Sequence, residues 1–72
     1  MVTSEQQLAE RIGRRIVALR LHLGITSEEL AKRAGVTKGY ISLVENGLRV
    51  PSLTVLQRIA EALGHDISAV FN

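Results

Sequence analysis

The residues best suited to chemistry are basic side chains concentrated in the middle of the chain. Residues 11–49 contain eight lysines and arginines against three glutamates, a net charge of +5, whereas residues 1–10 carry −2 and residues 50–72 carry −1. A cluster of cations of this size favours an anionic partner such as nucleic acid, although charge alone leaves membrane surfaces and acidic proteins open.

Patterns typical of enzymes and metal sites do not occur in the sequence. The chain has no cysteine, and its two histidines, His22 and His65, do not have the spacing of metal ligands. It also has no phosphate-binding loop, nucleophile elbow or dinucleotide fingerprint. We therefore expect a protein that is not an enzyme and that uses no metal, cofactor or small-molecule ligand.

Length and hydropathy limit the location of the protein. With 72 residues, the chain has room for one domain over residues 1–72. The longest apolar run, residues 16–19, is too short to cross a bilayer. Acidic Glu5 and Glu10 stand where a secretion signal would be basic. These features predict a cytoplasmic protein without membrane association.

The elements that carry these side chains are predicted to be helices, because apolar residues recur at intervals of three and four and never alternate. The first helix is expected over about residues 5–23, capped by Thr3 or Ser4. Later helices are expected to begin at Thr26 (with Glu29 reaching back), Thr37, Ser52 and Asp66. The predicted buried positions are Leu8, Ile12, Ile16, Leu19, Leu23, Leu30, Ala31, Ala34, Ile41, Val44, Leu53, Leu56, Ile59, Ala60 and Leu63.

The spacing between the second and third helices indicates a helix-turn-helix over about residues 26–46. Ala31 is small enough to let the next helix cross closely, and Gly35 follows four residues later to make the turn. Ile41 then fills the crossing from the second helix. Other helical corners use similar spacing, so this pattern is moderately specific.

Together with the flanking segments, this stretch resembles the Cro and phage-repressor type of helix-turn-helix, the XRE-like family. The resemblance covers about residues 12–70 and is carried by residues 16–20, 23–26, 29–31, 34–36, 40–42, 44–47, 51–53 and 59–63. It implies an all-α domain, a compact five-helix bundle whose third helix enters the major groove of double-stranded DNA.

The resemblance also assigns roles to individual residues. It implies a structural pair between Arg20 and Glu45, or else two independent surface charges. It implies contacts to phosphates or base edges by Thr26, Ser27, Thr37, Lys38, Gly39, Tyr40, Ser42, Leu43, Asn46 and Arg49. Members of this family frequently have glutamine at the position of Ser27, and many have several Gln, Arg or Asn residues on the third helix. This chain departs from both patterns.

Three of these positions have alternative interpretations. Gly39 either lets the backbone approach DNA or is tolerated in the first helical turn. Tyr40 either donates to a phosphate or packs its ring over the second helix. Asn46 suits both a phosphate contact and a helix C-cap. Arg14, Lys32 and Arg33 are expected to pair with Glu10, Glu28 and Glu29 rather than hold phosphates.

The C-terminal residues Ile67, Val70 and Phe71 either complete the core or form an apolar interface with a second copy. Combined with the resemblance, they predict a homodimeric transcriptional regulator that recognises a near-palindromic operator. The alternatives are a protein-interaction module, such as an antitoxin, and the DNA-binding piece of a longer regulator.

Overall fold

The computed structural model describes residues 3–71, in which four α-helices are followed by a short 3₁₀ turn. The helices are α1 (Ser4–Leu23), α2 (Ser27–Ala34), α3 (Lys38–Glu45) and α4 (Leu53–Ala62). The last element, Ile67–Val70, is called the C-terminal turn below. The all-α prediction is confirmed, with one difference: the expected fifth helix is a single 3₁₀ turn.

Each α-helix begins at a hydroxyl residue in extended conformation, as the sequence predicted. The side chains of Thr3, Thr26, Thr37 and Ser52 accept hydrogen bonds from the backbone N–H three residues later. Thr3 forms a full capping box, because its own N–H also donates to Gln6 Oε1 at 2.8 Å. The box expected at Thr26 forms only in half, since the Glu29 carboxylate accepts from Arg33.

The core is built from one face of every element. α2 packs against α3 and α4, α1 packs against α3, and the C-terminal turn packs against α4 and α1. The buried side chains form one cluster: Ile12, Ile16, Leu19, Ile25, Leu30, Ala31, Ala34, Ile41, Val44, Leu56, Ile59, Ala60, Leu63 and Val70.

Three leucines predicted to be buried are exposed, and those predictions are wrong. Leu8, Leu23 and Leu53 are 39%, 46% and 70% exposed. Leu8 and Leu23 lie towards the ends of α1, whose 20 residues extend well beyond the eight-residue helices α2 and α3. Leu53 is the first residue of α4, where a side chain leans back past the start of its own helix.

The placement of α3 depends on two glycines, one in a turn and one at a close helix crossing. Gly35 follows α2 at φ +72°, a left-handed conformation that Gly adopts without steric cost, and it turns the chain into α3. Gly13 lies where α1 crosses the end of α3. A Cβ atom built on Gly13 would come within 2.5 Å of the Val44 carbonyl oxygen and 2.7 Å of the Glu45 carbonyl oxygen.

The C-terminal turn is fastened to α1 by two arginines. Arg15 Nε donates to the Ala69 carbonyl oxygen at 2.8 Å, and Arg11 Nη2 donates to the Phe71 carbonyl oxygen at 3.1 Å. Val70 is fully buried and completes the core of the single chain, so it is not available to a second copy. Ile67 and Phe71 are only partly buried.

In residues 3–71 no helix combines the length and the apolar character needed to cross a membrane. The same residues contain no group of three histidine or acidic side chains that could hold a metal ion.

Candidate nucleic-acid interface

Helix α3 has a buried face and an exposed face. Ile41 and Val44 are fully buried, whereas the exposed positions are Lys38, Gly39, Ser42 and Leu43. The exposed face therefore offers an ammonium group, a hydroxyl and an aliphatic side chain. Lysine suits the acceptors of guanine, serine can donate or accept at most base edges, and leucine suits the methyl group of thymine.

The end of α3 is tied to α1 by a partly buried ion pair. Arg20 Nε donates to Glu45 Oε2 at 2.7 Å, and Arg20 Nη2 donates to Glu45 Oε1 at 3.2 Å. The two side chains are only 15% and 11% exposed. Arg20 Nη1 also donates to the Ile25 carbonyl oxygen at 3.0 Å. This hydrogen bond connects the segment before α2 to the Arg20–Glu45 pair. The pair fixes the direction of α3 and neutralises the only carboxylate of that helix.

Asn46 acts as a C-cap and keeps one donor unused. Its Nδ2 donates to the Ser42 carbonyl oxygen at 2.7 Å, across the last turn of α3. An amide nitrogen carries two hydrogens, so the second remains available for an acceptor outside the chain. The cap and the phosphate contact predicted for Asn46 are therefore compatible with each other.

The starts of α2 and α3 present hydroxyl groups at exposed positions. Thr26 Oγ1 accepts from Glu29 N at 3.1 Å, and Thr37 Oγ1 accepts from Tyr40 N at 3.0 Å. A capping hydroxyl accepts within its own helix and retains its hydrogen, which can then be donated outward. Ser27, the first residue of α2, is partly buried.

Arg49 is exposed in the loop between α3 and α4, where it meets an aromatic ring. Its Cζ atom lies 5.9 Å from the centroid of the Tyr40 ring, within the range of a cation–π contact. The Tyr40 ring itself is partly buried and packs against the core cluster. The ring therefore packs within the fold, whereas its packing over α2 in particular and its contact with a phosphate stay predictions.

Most of the positive charge of residues 11–49 is engaged within the fold. Arg11 and Arg15 donate to carbonyl oxygens, and Arg20 pairs with Glu45. Exposed pairs at a spacing of four join Arg14 to Glu10 at 4.0 Å and Arg33 to Glu29 at 3.1 Å.

The remaining cations of this region are Lys32, Lys38 and Arg49. Within residues 3–71, none of them has a carboxylate partner, and the pair expected between Glu28 and Lys32 does not form. These three side chains are the ones that can reach an anion without breaking a contact of the fold.

Two features of this site were not predicted from the sequence. A glycine inside a long helix lowers its stability, so the presence of Gly13 in α1 could have indicated the close crossing of α1 and α3. The roles of Arg11 and Arg15 left no such sign, because their partners are backbone carbonyl groups 60 and 54 residues away.

A family model described as helix-turn-helix matches residues 16–69. The chain belongs to the helix-turn-helix family. This helix-turn-helix chain is 44% identical over 52 residues to the uncharacterized HTH-type transcriptional regulator YqaF of Bacillus subtilis, a match covering 72% of this chain and 68% of YqaF. It is 36% identical over 59 residues to the immunity repressor protein of Bacillus phage phi105, a match covering 82% of this chain and 41% of the repressor.

The same helix-turn-helix chain also matches a solved structure closely. It superposes on the restriction-modification controller protein C.AhdI of Aeromonas hydrophila with a TM-score of 0.85 and 32% sequence identity, covering 88% of this chain and 96% of the controller. These relatives confirm the predicted family and the predicted class of function, a helix-turn-helix transcriptional regulator.

Proposed function

We propose that the protein binds double-stranded DNA as a homodimer and reads an operator through the exposed face of α3. The observation that carries this proposal is the chemical character of that face. It displays Lys38, Ser42 and Leu43, while the only carboxylate of α3 is neutralised by Arg20. A face with donors and apolar groups but no free negative charge suits the major groove.

The groups around α3 then divide into two roles. Thr26, Ser27, Thr37, Asn46 and Arg49 anchor phosphates on either side, and this fixes the register of α3 on the duplex. Lys38, Ser42 and Leu43 meet base edges, and Gly39 keeps the start of α3 close to the DNA. Tyr40 is half-buried beside Arg49 and supports the phosphate contacts.

The homodimer is proposed to bury the partly exposed Ile67 and Phe71 against a second copy. Each protomer would occupy one half of a near-palindromic site, with half-sites about 34–36 Å apart, one turn of DNA. We expect the protein to act in the cytoplasm, where it would bind chromosomal DNA. Sedimentation with and without DNA tests the stoichiometry, and a monomer on DNA at all concentrations contradicts the dimer.

A salt titration with duplex DNA of random sequence tests the proposal. Binding at low salt should weaken linearly with the logarithm of salt concentration, because bound phosphates release counterions. The matched control is Lys38→Glu/Arg49→Glu, which reverses two of the three available charges and should abolish binding. Absence of binding by the wild-type protein at low salt, or binding that ignores salt, rules the proposal out.

Selection of bound sequences from a random duplex pool then defines the operator. We expect enrichment of two inverted half-sites separated by about one helical turn. Enrichment of a single half-site would contradict binding as a dimer. If no sequence is enriched, sequence-specific recognition is contradicted.

A further inference from the structure

Arg49 and Tyr40 form a pair whose two members are held very differently. Tyr40 is anchored, because its backbone N–H donates to the Thr37 hydroxyl at 3.0 Å and its ring packs on the core cluster. Arg49 lies exposed in a loop, and within residues 3–71 its guanidinium has neither a carboxylate partner nor a hydrogen bond. The Tyr40 ring lies beside this cation, with its centroid 5.9 Å from Arg49 Cζ.

The Tyr40 ring beside the guanidinium limits the conformations of Arg49, while the Arg49 N–H groups donate to no acceptor within residues 3–71. Those N–H groups therefore stay available for a phosphate. A long side chain that is already restricted loses less conformational entropy when it binds.

We propose that Tyr40 is a positioning residue for Arg49: its aromatic ring, not its hydroxyl group, prepares Arg49 to grip a DNA phosphate. This proposal rests on the proposed function, since it assigns the role of one residue within the same DNA-binding surface.

The contact is tested first in the free protein by NMR. The ring current of Tyr40 should displace the chemical shifts of the Arg49 side-chain protons in the wild-type protein and in Tyr40→Phe, and the displacement should vanish in Tyr40→Leu. Equal Arg49 shifts in all three proteins would show that the ring does not lie beside Arg49 in solution and would overturn the proposal.

The consequence is tested by affinity for duplex DNA of random sequence at fixed salt. Tyr40→Phe should bind within twofold of the wild type, because the ring is kept. Tyr40→Leu should bind about two- to fivefold more weakly, the range expected for an exposed cation–π contact. In an Arg49→Ala background, Tyr40→Leu should cause no further loss.

Two outcomes of these affinities would overturn the proposal. If Tyr40→Phe loses as much affinity as Tyr40→Leu, the hydroxyl group contacts the phosphate itself. If Tyr40→Leu weakens binding equally with and without Arg49, the ring acts independently of that arginine. Wild-type protein that fails to bind DNA at all would overturn the proposed function together with this one, whereas failure of the cycle alone leaves the proposed function standing.

Arg49→Lys gives a second test that leaves the core ring untouched. Lysine keeps the positive charge but lacks the planar guanidinium and its fork of donors, and it makes cation–π contacts less often than arginine. Affinity should fall about two- to fivefold while the slope of binding against salt stays unchanged, because the same number of charges reaches the phosphates. The fall should be smaller in a Tyr40→Leu background. An equal fall in both backgrounds would mean that only the donors of Arg49 matter, and the positioning role of Tyr40 would be rejected.

Discussion

Two glycines within helices should respond to alanine in opposite ways. Gly39, in the first turn of α3, has no positive φ, and a Cβ atom built on it would meet nothing nearer than the Thr37 Oγ1 atom at 4.0 Å. Gly39→Ala should therefore stabilise the free protein by about 0.5–1 kcal/mol, the usual gain when alanine replaces glycine in a helix. For a domain of this size, the melting temperature should rise by about 2–8 °C.

Gly13→Ala is the matched comparison, because its Cβ atom would lie 2.5 Å from one backbone oxygen and 2.7 Å from another. Ordinary contact begins near 3.4 Å, so α1 and the end of α3 would have to separate by about 0.9 Å. Overpacking of this kind costs about 1–3 kcal/mol, and the helix propensity of alanine returns at most about 1 kcal/mol. We expect a net loss of about 1–2 kcal/mol.

Chemical and thermal unfolding, followed by circular dichroism, measures both changes in the free protein. A destabilised Gly39→Ala or an unaffected Gly13→Ala would refute the reasoning about these contacts. Affinity for DNA then separates the two interpretations of Gly39. If the start of α3 approaches DNA closely, Gly39→Ala should bind more weakly although it is more stable. Unchanged affinity would mean that glycine is merely tolerated there.

Five further substitutions, two of them with matched controls, test the contacts around α3 and the C-terminal turn. Glu45→Ala should destabilise the fold by about 2 kcal/mol in unfolding experiments, because it leaves the partly buried Arg20 without its carboxylate. The control is Glu29→Ala, which breaks an exposed pair and should cost at most about 0.5 kcal/mol. Similar losses in both would show that Arg20–Glu45 behaves as a surface pair. Arg15→Ala should lower the free energy of unfolding by about 1–2 kcal/mol and speed hydrogen exchange in the C-terminal turn. The control is Arg14→Ala, because the Arg14 side chain is 73% exposed. Unaltered exchange in Arg15→Ala would contradict the role of Arg15 in holding the C-terminal turn. Lys38→Ala and Leu43→Ala should each lose about 1–3 kcal/mol of binding free energy on the selected operator only, while Arg49→Ala should weaken binding to every sequence. If all three variants lose affinity in the same way, the proposed division into base-contacting and phosphate-contacting residues is rejected.

The fold was predictable from the sequence because its local features agree with one another. Capping hydroxyls at Thr26, Thr37 and Ser52, and Gly35 in the turn, are set by residues adjacent in sequence. The exposure of Leu8 and Leu53 was not predictable in this way. Helical spacing says which face a residue lies on, but not how far along a helix its neighbours extend.

The resemblance puts the candidate site at α3 and its surrounding loops, and that position stays a prediction. The resemblance also implied a pair between Arg20 and Glu45, and this contact is observed. The engagement of Arg11 and Arg15 could not be read from the sequence, because backbone carbonyl groups are present at every residue and carry no sequence pattern. Arg11 and Arg15 keep their charge but hold it beside the C-terminal turn, so fewer cations than the sequence indicated are free to contact a phosphate directly.

The small number of cations in residues 11–49 that have no partner in the fold favours the proposed dimer. If Lys32, Lys38 and Arg49 all reached phosphates, one protomer would neutralise three charges, and the logarithm of its affinity would fall against that of salt with a slope of about −3. Two protomers on one site would give a slope of at most about −5 to −6, near the lower end for proteins that bind DNA mainly through phosphates. With so few direct phosphate contacts, one protomer would bind an operator weakly. We therefore propose that its base contacts suffice for recognition only when a second copy doubles them on the same duplex.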